Sequence, residues 1–380
     1  MCYNEIIMGL FSKTESYLGV DIGAHGIKLV ELHNVKGRPQ LWTYGILDKK
    51  FDIHAPSTDS LVLPDRSEQA RLAIETAESE HIAFDEVRVD EYAGMLKELL
   101  KQSKVTTKRV TASLPVSYVF HSIVTLPLIE EKQRTPIIVA EVSKLVSQPA
   151  SELQVIYQLL PTTEKDPKFQ RFLVTSAPKS IVAFYTSIFQ KAGLELAELE
   201  TEAFAVERSL VGKDTTTTMV VDMGAERTNF FIIDNGLPMT HRSIQMGGDA
   251  IEDILTTTFG IEDVTGQLMR DVARLSADKI PPELFAKVLN PILKEVEYNF
   301  DMYLQQTGNE EKRPQKIVIT GGAGMFPLIQ KSLQEAFNVK VFIGDPWARV
   351  VYQQSLRPSL AAIGPRMAAS IGLALRHFTQ

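Results

Sequence analysis

The chain carries the same short pattern twice: an apolar strand ends in Asp-x-Gly, and the turn leads back into another strand. The first copy, YLGVDIG, contains Asp21 and Gly23, and the second, MVVDMG, contains Asp222 and Gly224. The two aspartates are separated by about 200 residues, and each ends its strand in the same way. This repetition predicts an internal structural duplication, with two related lobes that face each other across a cleft.

Strand and helix patterns surround both copies. Around the first copy, β-rich runs separated by Gly or KGRP turns predict strands at residues 17–22, 27–33 and 40–47. Around the second copy, the chain from Met219 shows the same order of three predicted strands separated by two turns. Apolar residues at helical spacing predict helices at residues 203–210, about 249–257, 262–275 and 281–305. A strand KIVIT then precedes a GGAGM turn and a last pair of helices.

The order of these elements predicts how the chain is divided. Residues 118–193 mix strands with two helical stretches and are expected to form a small α/β module of their own. The predicted divisions are an extension at 1–7, a first lobe at 8–117 with a surface insertion at about 52–89, the module at 118–193, a connecting helix at 194–213, a second lobe at 214–354 and a C-terminal helix at 355–380 that returns to the first lobe.

Composition excludes several classes of protein. Cys2 is the only cysteine and the seven histidines are scattered, so a disulfide framework or a metal held by side-chain nitrogen is not expected. The formal charge of −7 argues against a nucleic-acid partner. No apolar run reaches the ~18 residues of a membrane span, and the first residues lack a signal-peptide pattern. The protein is therefore expected to be cytoplasmic.

The residue types in the two turns suit a polyphosphate. Glycine turns expose consecutive backbone N–H groups to phosphate oxygens, and the carboxylates of Asp21 and Asp222 can hold a hydrated Mg²⁺ against the phosphate charge. One aspartate at the end of a hairpin strand is common and indicates little alone. Two of them, with a later GGAG turn at residues 321–324, favour a nucleotide site.

Three segments, DIGAHGIK, DMGAERTN and TGGAGMFP, follow one another in an order and spacing that resemble the actin-like ATPase superfamily. Within it, the sequence is similar to the PilM family of type IV pilus assembly proteins, in segments that include RVTASLPVSYVFHSIVTLP, RSIQMGGDAI, VFIGDPWARV and IGLALR. The likeness begins with MGLFSK at Met8, which suggests that residues 1–7 are an upstream extension or the result of a wrongly assigned start.

The resemblance implies an α/β actin-like ATPase fold: two RNase-H-like lobes around a nucleotide cleft, with an inserted small α/β subdomain. It also implies that ATP or ADP binds with Mg²⁺, the metal being held by Asp21 and Asp222 through water, and that Glu202 orients the attacking water. The residues implied to contact the nucleotide are Asp21, Gly23 and Lys28 in the first turn, Asp222, Gly224 and Thr228 in the second, Gly247 and Gly248 before a helix, Gln267 and Arg270 near the ribose, and Gly321, Gly322 and Gly324 beneath it.

The sequence departs from the family pattern at several positions. After Asp21, Ala24-His25-Gly26 replaces a run of serines, which predicts weaker phosphate affinity. Near the ribose, Gln267 takes the place of a carboxylate, whereas Arg270 keeps a cation. The insertion at 52–89 is longer than in the family, and the module lacks the family's paired prolines.

Each candidate also has a simpler interpretation. The two aspartates can merely cap turns, and Lys28 can be a solvated strand residue. The Glu202 carboxylate would interact favourably with a helix dipole without any catalytic role. His25 is expected to be an exposed loop histidine rather than a catalytic or pH-sensing group.

Taken with the residues, the resemblance implies an ATP-binding cytoplasmic adaptor, at most a slow ATPase, in the inner-membrane complex of type IV pilus assembly. It would bind the cytoplasmic N-terminal peptide of PilN beside the small module and reach the membrane only through that partner. Pilus motor ATPases and a second copy of the chain are further expected partners. Two alternatives are a filament-forming ATPase like FtsA and a small-molecule kinase of the same superfamily.

Overall fold

The computed structural model of the protein describes residues 15–51, 53, 86–146, 148–161, 168–259, 277–306, 309 and 312–378. Most of the predicted insertion at 52–89 and the helix predicted at 262–275 lie outside these residues. The described part of the chain contains two five-stranded sheets and one three-stranded sheet.

The first five-stranded sheet has the strand order β3-β2-β1-β4-β8. Its strands are β1 (Ser16–Gly23), β2 (Gly26–Val35), β3 (Arg38–Leu47), β4 (Arg109–Leu114) and β8 (Glu195–Thr201). Strands β1, β2 and β3 form an antiparallel meander, and β1-β4-β8 are parallel. The three strands predicted for the first copy are therefore confirmed.

The second five-stranded sheet has the order β11-β10-β9-β12-β13. Its strands are β9 (Thr218–Met223), β10 (Thr228–Asp234), β11 (Leu237–Ile244), β12 (Lys316–Thr320) and β13 (Lys340–Ile343). It repeats the pairing of the first sheet, with an antiparallel meander followed by two parallel strands. The predicted duplication is thus confirmed, because two stretches with the same strand and turn pattern form the same sheet.

Helices cover both large sheets. The described helices are α1 (Glu86–Gln102), α2 (Glu131–Leu145), α3 (Lys179–Lys191), α4 (Glu202–Val206), α5 (Gly248–Phe259), α6 (Ala286–Leu304), α7 (Pro327–Ala336), α8 (Arg357–Ile363) and α9 (Ala368–Leu375). Helices α1 and α3 share one hydrophobic core with β1 and β4. Helices α5, α6 and α7 pack in the core of the second sheet.

The small sheet has the order β5-β7-β6, formed by β5 (Phe120–Pro127), β6 (Leu153–Leu159) and β7 (Phe169–Pro178). Helix α2 covers one of its faces through Ile138 and Val142. Helix α3 falls within the range predicted for the module, 118–193, yet it packs in the core of the first sheet. The helix buries its apolar stripe in that core, with Ile181, Tyr185 and Ile188 all covered there.

The end of the chain packs against the first sheet. Trp347 shares a hydrophobic cluster with Val30 of β2, so this contact begins before residue 355, where the C-terminal division was predicted to start. Helix α9 follows and lies so close to α4 that a Cβ atom at Gly372 would lie 1.7 Å from the carbonyl oxygen of Ala205. Glycine is required at Gly372 because backbone occupies the space of any side chain.

The connecting helix differs from its prediction. A regular helix is predicted at residues 203–210, whereas α4 ends at Val206 and Glu207–Val211 forms a wider π-helical turn. The guanidinium of Arg349 donates hydrogen bonds to the carbonyls of Ser209 and Val211 in this turn. A distant side chain thus satisfies carbonyls at the end of the helical segment, where helix carbonyls lack a partner within the helix.

Candidate functional site

The turn between β1 and β2 brings a carboxylate and a cation together. Asp21 and Lys28 are direct partners in the β1–β2 register, and Lys28 Nζ lies 3.9 Å from Asp21 Oδ2. The hydroxyl of Ser113, at the end of the neighbouring strand β4, donates a hydrogen bond to Asp21 Oδ1 at 3.0 Å. Gly23 ends β1 at the start of this turn. The carboxylate is therefore buried and oriented by two neighbours.

The turn between β9 and β10 repeats this arrangement with a different partner. Asp222 lies directly opposite Asn229 in the β9–β10 register, and the Asn229 side chain hydrogen-bonds to it. Gly224 donates its backbone N–H to the Arg227 carbonyl at 2.9 Å, which closes the turn. The hydroxyl of Thr228 is buried and donates to the Met246 carbonyl at 2.5 Å, so its proton is already engaged within the protein.

Glu202 connects the two turns. It is the first residue of α4, and its carboxylate accepts hydrogen bonds from the Asn229 side chain, at 3.2 Å, and from the backbone N–H of Val116. Its charge interacts with those of Asp21 and Asp222. The three candidate carboxylates, which come from three separate parts of the sequence, are thus brought close together beside the two turns.

Burial and repulsion raise the pKa values of two of these carboxylates. Burial first, and the charge of Asp21 second, raise the pKa of Asp222 to about 7. Burial, followed by the charges of Asp21 and Asp222, raises the pKa of Glu202 well above its ordinary value. Lys28 opposes both shifts. Because one ammonium group stands among three carboxylates, this cluster favours binding of a further cation.

The turn after β12 packs against the second Asp-x-Gly turn. Gly321 has a φ of +83°, and a Cβ atom there would lie 2.2 Å from the Met223 carbonyl oxygen. Only glycine fits this position, because both the backbone angle and the space exclude a side chain. Of the other two predicted glycines, Gly324 is buried and Gly322 is exposed beside Arg366.

The start of α5 also packs on the second turn. Gly248 and Asp249 donate their backbone N–H groups to the carbonyls of Gly224 and Ala225, at 3.0 and 2.8 Å. A Cβ atom at Gly247 would lie 2.3 Å from the Ala225 carbonyl oxygen. The structure thus brings both predicted glycines to the second turn, whereas Gln267 and Arg270 lie outside the described residues.

Side chains from the two lobes meet beside these turns. His25 in the first turn and Lys50 after β3 both contact the carboxylate of Asp249, with distances of 3.2 Å from His25 Nε2 and 3.3 Å from Lys50 Nζ. Lys50 also lies 4.0 Å from Glu226 Oε1 in the second turn. The predicted solvated loop histidine is therefore only partly exposed, and it takes part in a contact between lobes.

Asn229 and Ser113 were missed as site residues by sequence reasoning. A signal for Asn229 was present, because it follows Asp222 by the same number of residues as Lys28 follows Asp21. In both hairpins that position lies directly across from the aspartate. Ser113 gave no such signal, since β4 comes next to β1 only through the long connection between them.

Comparisons with known proteins agree with this architecture. The family model described as type IV pilus assembly protein PilM matches residues 62–378, which is most of the chain. The chain belongs to this PilM family. Cell division protein FtsA from Enterococcus faecalis is 26% identical over 376 residues, with 87% of this chain and 79% of FtsA covered.

Solved structures share the fold. A PilM-PilN type IV pilus biogenesis complex matches with a TM-score of 0.74 and 19% identity, covering 96% of this chain and 98% of that one. The ethanolamine utilization protein EutJ from Carboxydothermus hydrogenoformans matches with a TM-score of 0.51 and 13% identity, covering 95% and 90%. The expected actin-like ATPase fold is thereby confirmed. Membership of the family shows a function in type IV pilus assembly. Among the described helices, none has the length and apolar character needed to cross a bilayer.

Proposed function

We propose that this PilM-family protein binds Mg-ATP between its lobes and serves as an adaptor in the inner-membrane complex of type IV pilus assembly. The observation that carries the nucleotide site is the convergence of Asp21, Asp222 and Glu202 around Lys28, between two glycine turns. Family membership supports the adaptor role.

The residues present fit a magnesium ion. Carboxylate oxygens are its preferred protein ligands, and excess negative charge in the cleft is relieved when a divalent cation binds. Asp21 and Asp222 would hold the ion through its water shell, and the ion would neutralise phosphate charge. Lys28 would contact a phosphate, and Glu202 would orient the attacking water. The family resemblance and the altered first turn favour turnover well below about 1 per second.

Binding of Mg-ATP is tested by removing each carboxylate. Asp21→Ala and Asp222→Ala should each weaken Mg-ATP binding at least tenfold, about 1.4 kcal/mol, in a titration with a fluorescent ATP analogue. Asp90→Ala, an exposed change on α1, is the control and should bind as the parent protein does. Unchanged affinity in both cleft variants would remove the metal assignment.

The small module is the proposed place for a partner. Among the described residues, β6 pairs only with β7, so it is an edge strand of the three-stranded sheet. Ile156 and Leu159 of β6 are about half exposed, at 57% and 46%. An extended peptide can add to such an edge through its backbone while apolar side chains supply specificity. We propose that the N-terminal peptide of PilN binds here and links the protein to the inner membrane from the cytoplasm.

This placement is tested with charged substitutions on the edge. The double variant Ile156→Lys with Leu159→Lys should weaken binding of a synthetic PilN N-terminal peptide at least tenfold in calorimetry. Phe342→Lys is the matched control, because Phe342 is 47% exposed on β13, an edge strand of the second sheet. If only the control lost affinity, the peptide would bind the second lobe instead. Contacts with motor ATPases and self-association stay predictions.

A further inference from the structure

Asn229 contacts two of the three carboxylates in the cleft. Its Nδ2 atom lies 3.2 Å from Glu202 Oε2, and the same side chain hydrogen-bonds to Asp222, its partner across the β9–β10 hairpin. Glu202 belongs to the connecting helix α4, whereas Asp222 belongs to the second sheet. A single amide therefore joins the helix to the strand that ends at the second turn.

The duplication shows what is particular about this amide. The equivalent position in the first hairpin is Lys28, which lies opposite Asp21 and brings a positive charge. Asn229 supplies two N–H donors and no charge. It can therefore fix the orientation of neighbouring carboxylates while leaving their negative charges available to a cation or to a water molecule, which a second lysine would not do.

We infer that Asn229 is a positioning residue, which holds the Glu202 carboxylate in a fixed place relative to the Asp222 carboxylate so that Glu202 can orient the attacking water. This inference rests on the proposed ATP site. Glu202 begins a five-residue helix, and apart from Asn229 the Val116 N–H is the hydrogen-bond donor found for its carboxylate among the described residues. Loss of the amide would leave that carboxylate held from one side only.

A double-mutant cycle on ATP hydrolysis tests the inference. Asn229→Ala should lower kcat by about 10- to 100-fold, as expected when a catalytic group is misplaced. Its affinity for Mg-ATP should change less than about threefold, since Asp21 and Asp222 remain. Glu202→Gln should lower kcat by itself, and Asn229→Ala should add less than about twofold to that loss, because the amide acts through Glu202.

Two further variants separate positioning from stability. Asn229→Leu keeps the shape of the side chain without its donors and should reproduce the kinetic loss, with folding checked by thermal unfolding. Asn34→Ala is the matched control: Asn34 Nδ2 lies 3.3 Å from Glu15 Oε2, an amide–carboxylate contact that is exposed and on the first lobe. It should leave kcat unchanged.

Three results would overturn the inference. One is an unchanged kcat in both Asn229 variants. Another is a decrease in kcat on Asn229→Ala that is as large in the Glu202→Gln background as in the parent protein. The third is a parent protein that binds Mg-ATP but shows no single-turnover hydrolysis, because Glu202 would then have no water to orient. Failure of Mg-ATP to bind the parent protein at all would instead contradict the proposed function.

Discussion

His25 Nε2 lies 3.2 Å from Asp249 Oδ1, so the first Asp-x-Gly turn touches the start of α5 in the other lobe. His25 belongs to the first lobe. The carbonyl of its neighbour Ala24 accepts a hydrogen bond from the Phe51 N–H in that lobe, at 2.6 Å. Lys50 adds a second contact to the same carboxylate. Although burial acts against it, His25 and Lys50 hold the pKa of Asp249 below its ordinary value. The pair therefore links the lobes beside the candidate nucleotide site.

Removing the charge of Asp249 should loosen this link. We expect Asp249→Asn to release a bound ATP analogue about two- to fivefold faster, the effect of losing partly exposed ion pairs. Stopped-flow fluorescence measures the rate. The control is Asp278→Asn, which removes a 2.7 Å pair with Lys331 within the second lobe. Equal rates for parent and Asp249→Asn would show that the contact does not restrain the cleft.

Asp222 should make the nucleotide-free protein less stable as the pH rises. Its pKa is raised from 3.8 to about 7 by burial and by Asp21, so the folded state binds the proton more tightly than the unfolded state. This contribution to the free energy of unfolding is present below about pH 4 and is lost as the pH rises towards 7. Asp222→Asn should therefore raise the melting temperature at about pH 8 by ~2 to 4 °C.

Thermal unfolding without nucleotide checks this expectation, and the gain should shrink when the same variant is measured at about pH 4. Asp222→Asn should also lose affinity for Mg-ATP, so function and stability change in opposite directions. A variant that melted below the parent protein at the higher pH would contradict the repulsion between Asp222 and Asp21.

A partly buried histidine pair should make the contact between the small module and the second sheet sensitive to acid. His121 of β5 and His241 of β11 have ring centroids 5.6 Å apart, and His121 Nε2 lies 2.7 Å from the Pro238 carbonyl oxygen. Burial lowers the pKa of both, that of His241 well below its ordinary value. Their stabilising contribution is present above about pH 6.5 and is lost as the pH falls below it.

His241→Phe should reduce the loss of stability at acidic pH. The substitution removes one of the two imidazoles that resist protonation and leaves an aromatic ring in its place. Melting temperatures between about pH 7.5 and 5 give the comparison. His33→Phe is the control, since His33 stacks on the exposed Trp42 in the first lobe. If His241→Phe and the parent protein lost stability in parallel as the pH fell, the histidine pair would not be the acid-sensitive contact.

Two glycine substitutions should have opposite effects on stability. Gly372→Ala places a Cβ atom 1.7 Å from the Ala205 carbonyl oxygen, so α9 must move away from α4, at a cost of about 1 to 3 kcal/mol or more. A Cβ atom added at Gly94, inside α1, would have no atom within 4 Å. Gly94→Ala should therefore stabilise the protein by about 0.5 to 1 kcal/mol, because alanine favours a helix interior over glycine. Denaturant unfolding measures both, and similar effects would contradict the close approach of α9.

Local pattern was sufficient to predict many elements around the site. The strands ending at Asp21 and Asp222 could be read because alternating apolar runs and glycine turns depend on neighbours in sequence. Lys28 could be predicted for the same reason, since a tight hairpin places it opposite Asp21. The turn that contains Gly321 was likewise recognisable from its glycines.

Contacts between distant segments were not predicted. The π-helical turn at Glu207–Val211 depends on Arg349, which is more than a hundred residues away. Helix α3 has an apolar stripe that would suit either the small module or the first sheet, and only packing decides between them.

The sequence by itself determined the duplicated hairpins, their carboxylates and the family to which the chain is similar, because each depends on short stretches of residues. The tertiary structure alone decided that Asn229 holds Glu202 and Asp222 together and that His25 meets Asp249 across the lobes. Both contacts depend on how closely separate parts of the chain approach, and that distance is set by the packing of whole sheets and helices, which no local pattern encodes.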